Sequence, residues 1–245
     1  SFLWWAVTGE GGAGKSRIAY ELSICMRKKG WNVSFLKKYN NCLSFELPSM
    51  HNGKNTLYIL DRVIGYEEQI GNWMEERYHQ SKGTIVRILL IERSNGNLSQ
   101  NGWIEQILYG AEMPGILEEC CYNQQMLELQ PMDKKDIKRL IVSYGNICRE
   151  DQLSVDGIMD QLEKIDYGKM RPLYAILLVE VWKTGNLNKI DTQNKLLEYI
   201  WKAEYARYQT YFLNQNRSML VEAKACTKVF LELKLAATLL NGLEW

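Results

Sequence analysis

Proline and histidine are scarce in this sequence, with four Pro and two His in 245 residues. The two histidines, His51 and His79, stand far from any cysteine pair. No C-x-x-C occurs among Cys25, Cys42, Cys120, Cys121, Cys148 and Cys226. Zinc-site spacing is therefore excluded. The adjacent Cys120 and Cys121 cannot close an easy bridge, so reduced thiols in a cytoplasmic protein are expected. Long apolar runs are missing too. The longest, Phe2 to Val7, Ile88 to Ile91 and Tyr174 to Val179, fall far short of the ~20 residues of a membrane span. Charge of one sign is not in excess: 30 basic and 29 acidic residues leave a net +1. No half of the chain shows the basic surplus that marks a nucleic-acid or anionic-lipid surface. What is present is a globular composition, 46% apolar and 24% charged, with eight Trp; it excludes disorder and low complexity. The chain opens at Ser1 directly on an apolar strand and reads as a piece of a longer protein.

Phe2 to Thr8 has the pattern of a strand buried on both faces. A glycine cluster, Gly9 to Gly14, separates it from a helix in which Ile18, Leu22, Cys25 and Met26 recur at helical spacing, stopped by Gly30. Further strands are expected over Trp31 to Leu36, Thr56 to Leu60, Thr84 to Ile91 and Met126 to Leu129, with a helix over 66–80 and loop with short helix over 94–124. Strands alternating with helices predict an α/β fold with a parallel sheet. After Pro131 only helical patterns follow, near 133–144, 151–165, 172–184, 193–211 and 218–240. Asp133 can cap the first of these, whose apolar face is Ile137, Leu140, Ile141 and Tyr144. The last carries Val229, Phe230, Leu233, Ala237 and Leu240 on one side. The expected division is a nucleotide-binding domain over 1–130, a helical lid over 131–190 and a further helical segment over 191–245.

Gly9-Glu10-Gly11-Gly12-Ala13-Gly14-Lys15-Ser16 fits G-x4-G-K-S/T, the phosphate loop or Walker A pattern. Glycines let successive amides turn toward phosphate oxygens, and the helix that follows points its positive end at them. Lys15 can reach the β and γ oxygens, and Ser16 can offer its hydroxyl to magnesium. Gly9, Gly11 and Gly14 also satisfy the dinucleotide pattern G-x-G-x-x-G, which expects an acid at the end of the second strand. That strand ends at Lys37-Lys38-Tyr39, basic residues that could suit the 2′-phosphate of NADP, so the discriminator is the Lys15-Ser16 pair, which has no use in such a fold.

Asp61 ends the strand Leu57-Tyr58-Ile59-Leu60. A strand that delivers a carboxylate to the sheet edge beside a phosphate loop supplies a magnesium ligand, the Walker B role. One strand, Trp31 to Leu36, lies in sequence between the glycine-loop strand and the Asp61 strand. That order fits the additional-strand (ASCE) class of P-loop NTPases, which holds motors and switches. Motor-type members carry an acid directly after the magnesium Asp to align the attacking water. That position is Arg62 here. Glu67 and Glu68 are the nearby acids, and a solvated helix face is the plainer reading of both. Arg93 follows the strand Ile88 to Ile91, where a cation can sense a γ-phosphate.

These residues together resemble the STAND class of signal-transduction NTPases, in particular bacterial members found in large antiviral or conflict-associated proteins. The resemblance rests on Trp4-Trp5 before the glycine loop, Lys15-Ser16-Arg17 within and after it, and Gly30-Trp31 opening the second strand. It continues through Arg87 to Arg93, where the family has its sensor Arg, and Leu196-Leu197 with Glu204 and Arg207. Arg171-Pro172-Leu173 stands where the family places a Pro that meets the adenine, so the resemblance implies Pro172 and Arg17 as further nucleotide contacts. The family's Gly two residues before that Pro is Met170 here, and Arg62 replaces a common second acid. The winged-helix His that many members use to hold ADP has no counterpart, since both His precede residue 80.

The resemblance implies an ATP/ADP- and Mg-dependent switch with slow hydrolysis. Nucleotide would lie between the α/β domain and the helical lid; ADP would favour a closed monomer and ATP an open, oligomerising form. Sensor and effector domains would lie outside this chain. The rivals are an AAA-like motor or loader acting on DNA or protein, a small-molecule kinase, and a nucleotide-binding scaffold with no hydrolysis. No membrane partner and no nucleic-acid site is evident in the residues.

Overall fold

The computed structural model describes residues 1–36, 38–39, 42–43, 54–81, 83–93, 102–124, 126–147 and 152–215. Lys37, His51, Cys148, Cys226 and the helix expected over 218–240 lie outside the described residues, as do the side chains of Cys42 and Arg207. The chain divides into two compact units, residues 1–10 with 14–130 and residues 131–245 with 11–13.

The first unit is built on a five-stranded sheet. Its strands are β1 (Phe2–Thr8), β2 (Asn32–Leu36), β5 (Thr56–Asp61), β6 (Val86–Ile91) and β7 (Leu127–Glu128); β3 (Lys38–Tyr39) and β4 (Cys42–Leu43) form a separate antiparallel pair. Every pairing in the five-stranded sheet is parallel, in the order β2-β5-β6-β1-β7. The glycine-loop strand β1 and the Asp61 strand β5 are thus held apart by β6. This is the additional-strand arrangement expected from the sequence, reached by a different strand. The segment Asn32–Leu36, which comes between the two in sequence, lies at the sheet edge instead. A right-handed crossover must carry each strand over one face, so sequence order and sheet order part company.

Alternation along the strands sends their two faces to two different cores. Phe2, Trp4, Ala6, Tyr58, Leu60, Ile88 and Leu90 pack against α2 (Glu67–Gln80) through Ile70, Trp73 and Met74. Tyr58 meets Trp73 edge to face, ring centres 5.1 Å apart. α3 (Gly102–Gly110) packs on α2, and α4 (Pro114–Glu119) packs on α3 and reaches the sheet directly, where Trp4 donates its indole N–H to the Leu117 carbonyl at 2.7 Å. The other face, with Val7, Leu57, Ile59, Leu89 and Ile91, is covered by α1 (Lys15–Lys28) through Ala19, Leu22 and Met26.

That contact bears out two members of the face expected for α1, Leu22 and Met26, and corrects the other two. Ile18 is 46% exposed and Cys25 is exposed, while Lys15, Ala19 and Ser23 are buried. The buried stripe, Lys15, Ala19 and Ser23 with Leu22 and Met26 beside them, has the same helical period but is rotated around the helix away from Ile18 and Cys25. Two of its members are polar, and a pattern read from apolar residues alone passes over them.

The second unit is helical. α5 (Lys134–Gly145) is capped as expected: the Asp136 N–H donates to Asp133 Oδ1 at 2.7 Å. α6 (Gln152–Ile165), α7 (Pro172–Lys183) and α8 (Gln193–Gln215) follow. Ile137, Ile141, Ile158, Leu162, Leu178 and Val179 form the centre of its core. On α5, Leu140 is partly buried and Tyr144 is 41% exposed, so the apolar face is narrower than its sequence suggests. Among the described residues no helix is long and apolar enough to cross a membrane.

Candidate nucleotide site

A parallel sheet brings the C-terminal ends of its strands to one edge, and three of the predicted residues leave from that edge. In register, Ile91 of β6 is flanked by Val7 of β1 on one side and Asp61 of β5 on the other. The glycine loop departs two residues after Val7, and Arg93 stands two residues after Ile91.

The loop needs its glycines at particular points. Gly12 has φ 82° and Gly14 has φ 102°, both in the left-handed region where a Cβ is strained. Gly14 is the N-cap of α1. It offers no side-chain cap, and the first turn holds no acidic residue. The positive end of this 14-residue helix, Lys15–Lys28, thus faces the loop with no side-chain cap and no acidic residue of its own first turn.

Lys15 is 4% exposed and folds back along the loop, its Nζ donating to the carbonyls of Gly9 at 2.8 Å and Glu10 at 3.0 Å. Ser16 donates its hydroxyl to Asp61 Oδ2 at 2.8 Å across 45 positions of sequence. This joins the two residues singled out for magnesium into one hydrogen-bonded pair. A hydroxyl and a carboxylate are hard oxygen donors suited to Mg²⁺, which takes one or two protein ligands and fills its octahedron with water and phosphate oxygens. Among the described residues no group of three or more His, Cys, Asp or Glu side chains could hold a metal by itself.

Arg17 is exposed. Its guanidinium pairs with Glu21 at 2.5 Å and lies over the Tyr20 ring at 5.8 Å. Arg93 is partly buried, and its backbone N–H donates to Glu92 Oε1 at 2.8 Å.

Sequence reasoning missed Glu92, except as a neighbour for Arg93. It is 6% exposed, and its other carboxylate oxygen accepts from the Ile64 N–H at 3.0 Å. Glu92 therefore ties the segment after Asp61 to the end of β6. The same segment is held by the Arg62 N–H, which donates to the Ile91 carbonyl at 2.9 Å, and by Glu67, which accepts from the Gly65 N–H at 2.9 Å. Arg62 itself has φ 64°, a conformation that costs a residue with a side chain about 1–3 kcal/mol. The signal for Glu92 was a carboxylate at the end of the apolar run Ile88 to Ile91, the same signal that singled out Asp61. Glu68 is exposed.

In the second unit Pro172 is the first residue of α7, a position where its fixed φ and missing N–H cost nothing. The turn before it is unusual: Tyr167 and Met170 both have φ 52° and Gly168 has φ 75°. Met170 thus takes, with a side chain, the left-handed conformation for which the resembled family has Gly. The turn is held by Asp166, fully buried, whose Oδ2 accepts from the Arg171 N–H and whose Oδ1 accepts from Arg171 Nε, both at 2.7 Å. The Arg171 guanidinium lies 4.4 Å from the centre of the Tyr174 ring.

No family model and no curated protein sequence matches this chain. Among solved structures, one substituted form of Thermotoga maritima RuvB is similar at 15% identity and a TM-score of 0.45, over 79% of this chain and 60% of that one. A second substituted form of the same protein stands at 12% identity and 0.43, over 89% and 71%. The Drosophila ORC bound to DNA stands at 10% and 0.34, over 94% and 62%. The chain thus spans about 60 to 70% of the length of these neighbours. At such identities and scores the fold rests on the sheet order itself, a glycine-loop strand and an Asp61 strand parted by β6.

Proposed function

We propose that this chain is the ATP/ADP-binding, Mg-dependent switch module of a STAND-like signalling NTPase with slow hydrolysis, part of a larger multidomain defence or regulatory protein. The observation that carries the reading is the Ser16–Asp61 hydrogen bond at the sheet edge from which the glycine loop departs. In this account the loop amides and the positive end of α1 would take the phosphates. Lys15 exchanges the carbonyls of Gly9 and Glu10 for β and γ oxygens, a shift that needs only a side-chain rotation. Ser16 and Asp61 would hold Mg²⁺, which would neutralise phosphate charge. Arg93 reads the γ-phosphate, and Arg17 and Pro172 are further nucleotide contacts.

Slow turnover follows from where the acids go. The residue after Asp61 is Arg62, and two acids of the neighbouring segments, Glu92 and Glu67, are already engaged. Glu92 accepts from two backbone N–H groups and Glu67 from one. A carboxylate tied to the backbone is poorly placed to orient a nucleophile.

The test is steady-state ATP hydrolysis with and without DNA. The switch reading expects less than ~1 s⁻¹, at the low end of enzyme rates, with no response to DNA. Strong stimulation by DNA would favour the alternative, an AAA-like motor or loader.

A further inference from the structure

Among the described residues, the face of the sheet under α1 is incompletely covered. Toward the starts of the strands, at the end away from the glycine loop, it opens into a pocket of about 570 Å³. Leu3 and Trp5 of β1 and Leu57 of β5 line it from the sheet, Met26 and Trp31 from the end of α1 and beyond, and Met126 from the approach to β7. The volume and the lining, aromatic and aliphatic with few polar groups, are those of small-molecule sites, which run from about 300 to 1,000 Å³.

One charge lines this pocket. Arg87 of β6 is partly buried, and its Nη1 donates to the carbonyls of Ser1 at 3.1 Å and Val86 at 2.8 Å. Among the described residues no carboxylate lies within ion-pair distance of it, and its Nε and Nη2 have no hydrogen-bond partner. Desolvation lowers its pKa from the ordinary guanidinium value with no acidic neighbour opposing the shift. A guanidinium so placed keeps its charge, so an anion of the right shape would find a fork of free donors beside an apolar wall.

We propose that this pocket binds a small amphiphile, an apolar chain or ring bearing one carboxylate, with its apolar body against Trp5 and Trp31 and its carboxylate on Arg87. The site is distinct from the glycine loop: its residues lie at the starts of the strands, and the nucleotide reading does not depend on it.

Octanoate and 1-octanol are suitable probes, titrated into the full chain by calorimetry with tryptophan fluorescence in parallel. We expect saturable one-site binding of octanoate, at least tenfold tighter than that of 1-octanol, because a charge-assisted pair is lost with the alcohol. Arg87→Gln should abolish that preference, Arg87→Lys should retain most of it, and Met126→Trp should block both probes. ATP binding should stay unchanged in all three variants. Absence of saturable octanoate binding, equal affinity for the two probes, or a preference that survives Arg87→Gln would overturn the proposal. If Arg87→Gln does not fold, the comparison of the two probes on the unmodified chain decides alone.

Discussion

Asp61 and Glu92 both end buried strands of one sheet, yet the structure gives their carboxylates different work. Asp61 meets a hydroxyl 45 positions away. Glu92 meets two backbone N–H groups and holds the intervening turn. Glu92→Gln keeps the size and one acceptor but turns an NH₂ toward an N–H donor. Leaving one of those N–H groups unsatisfied costs about 1–3 kcal/mol. The expected result is a lower melting temperature by several degrees, read by thermal denaturation, with the fold kept. The types of residue that chemistry demands were legible in the sequence: glycines, Lys15, Ser16 and Asp61 occur in a pattern with few other uses. The role of Glu92 was not, because a carboxylate that caps backbone groups leaves no spacing signature. Nor was the turn before Pro172, where Met170 stands in a conformation that favours glycine.

Among elements, α2 and α3 cross on glycine. A Cβ on Gly71 would lie 2.1 Å from the Ile107 carbonyl oxygen, and one on Gly110 would lie 2.5 Å from the Glu68 Cα. Both obstacles are backbone, which cannot swing aside. Gly110→Ala should therefore destabilise by roughly 1–3 kcal/mol, the usual cost of overpacking. Gly115→Ala, in α4 with nothing within 4 Å, should be neutral or slightly stabilising, as alanine is the better helix former. Urea denaturation of the two variants checks the contrast. Equal effects would remove the crossing as the cause. The elements were visible in the sequence through their periods, but their contacts were not. Small residues such as Ala19, Ser23 and Gly71 mark close approach without raising hydrophobicity, so the α1 face read from its apolar residues is rotated from the buried one.

Each unit also buries a tyrosine. Burial pushes the Tyr58 hydroxyl above its ordinary pKa, with Arg77 opposing; burial likewise raises Tyr174, against Arg171. The folded state thus prefers the protonated phenols. Their contribution is present below the ordinary value near 10 and is lost as pH rises from there through the higher folded values. Stability measured by urea should fall as pH rises above the ordinary phenol value near 10, and Tyr58→Phe with Tyr174→Phe should flatten that fall.

At the scale of the whole molecule, the change of class near residue 130 was readable because strands stop and helical periods continue. Sheet order was not, since the strand that parts β1 from β5 comes last of the three in sequence. The central claim is that the glycine loop holds the phosphates of ATP and ADP with Lys15 as their cation. Equilibrium binding of ATP and ADP with Mg²⁺ to the unmodified chain and to Lys15→Ala tests it most directly. Loss of a charge-assisted contact of roughly 1.5–3 kcal/mol predicts affinity weaker by about 10–150-fold, with the fold intact by circular dichroism. Equal affinity in the two chains would contradict the account.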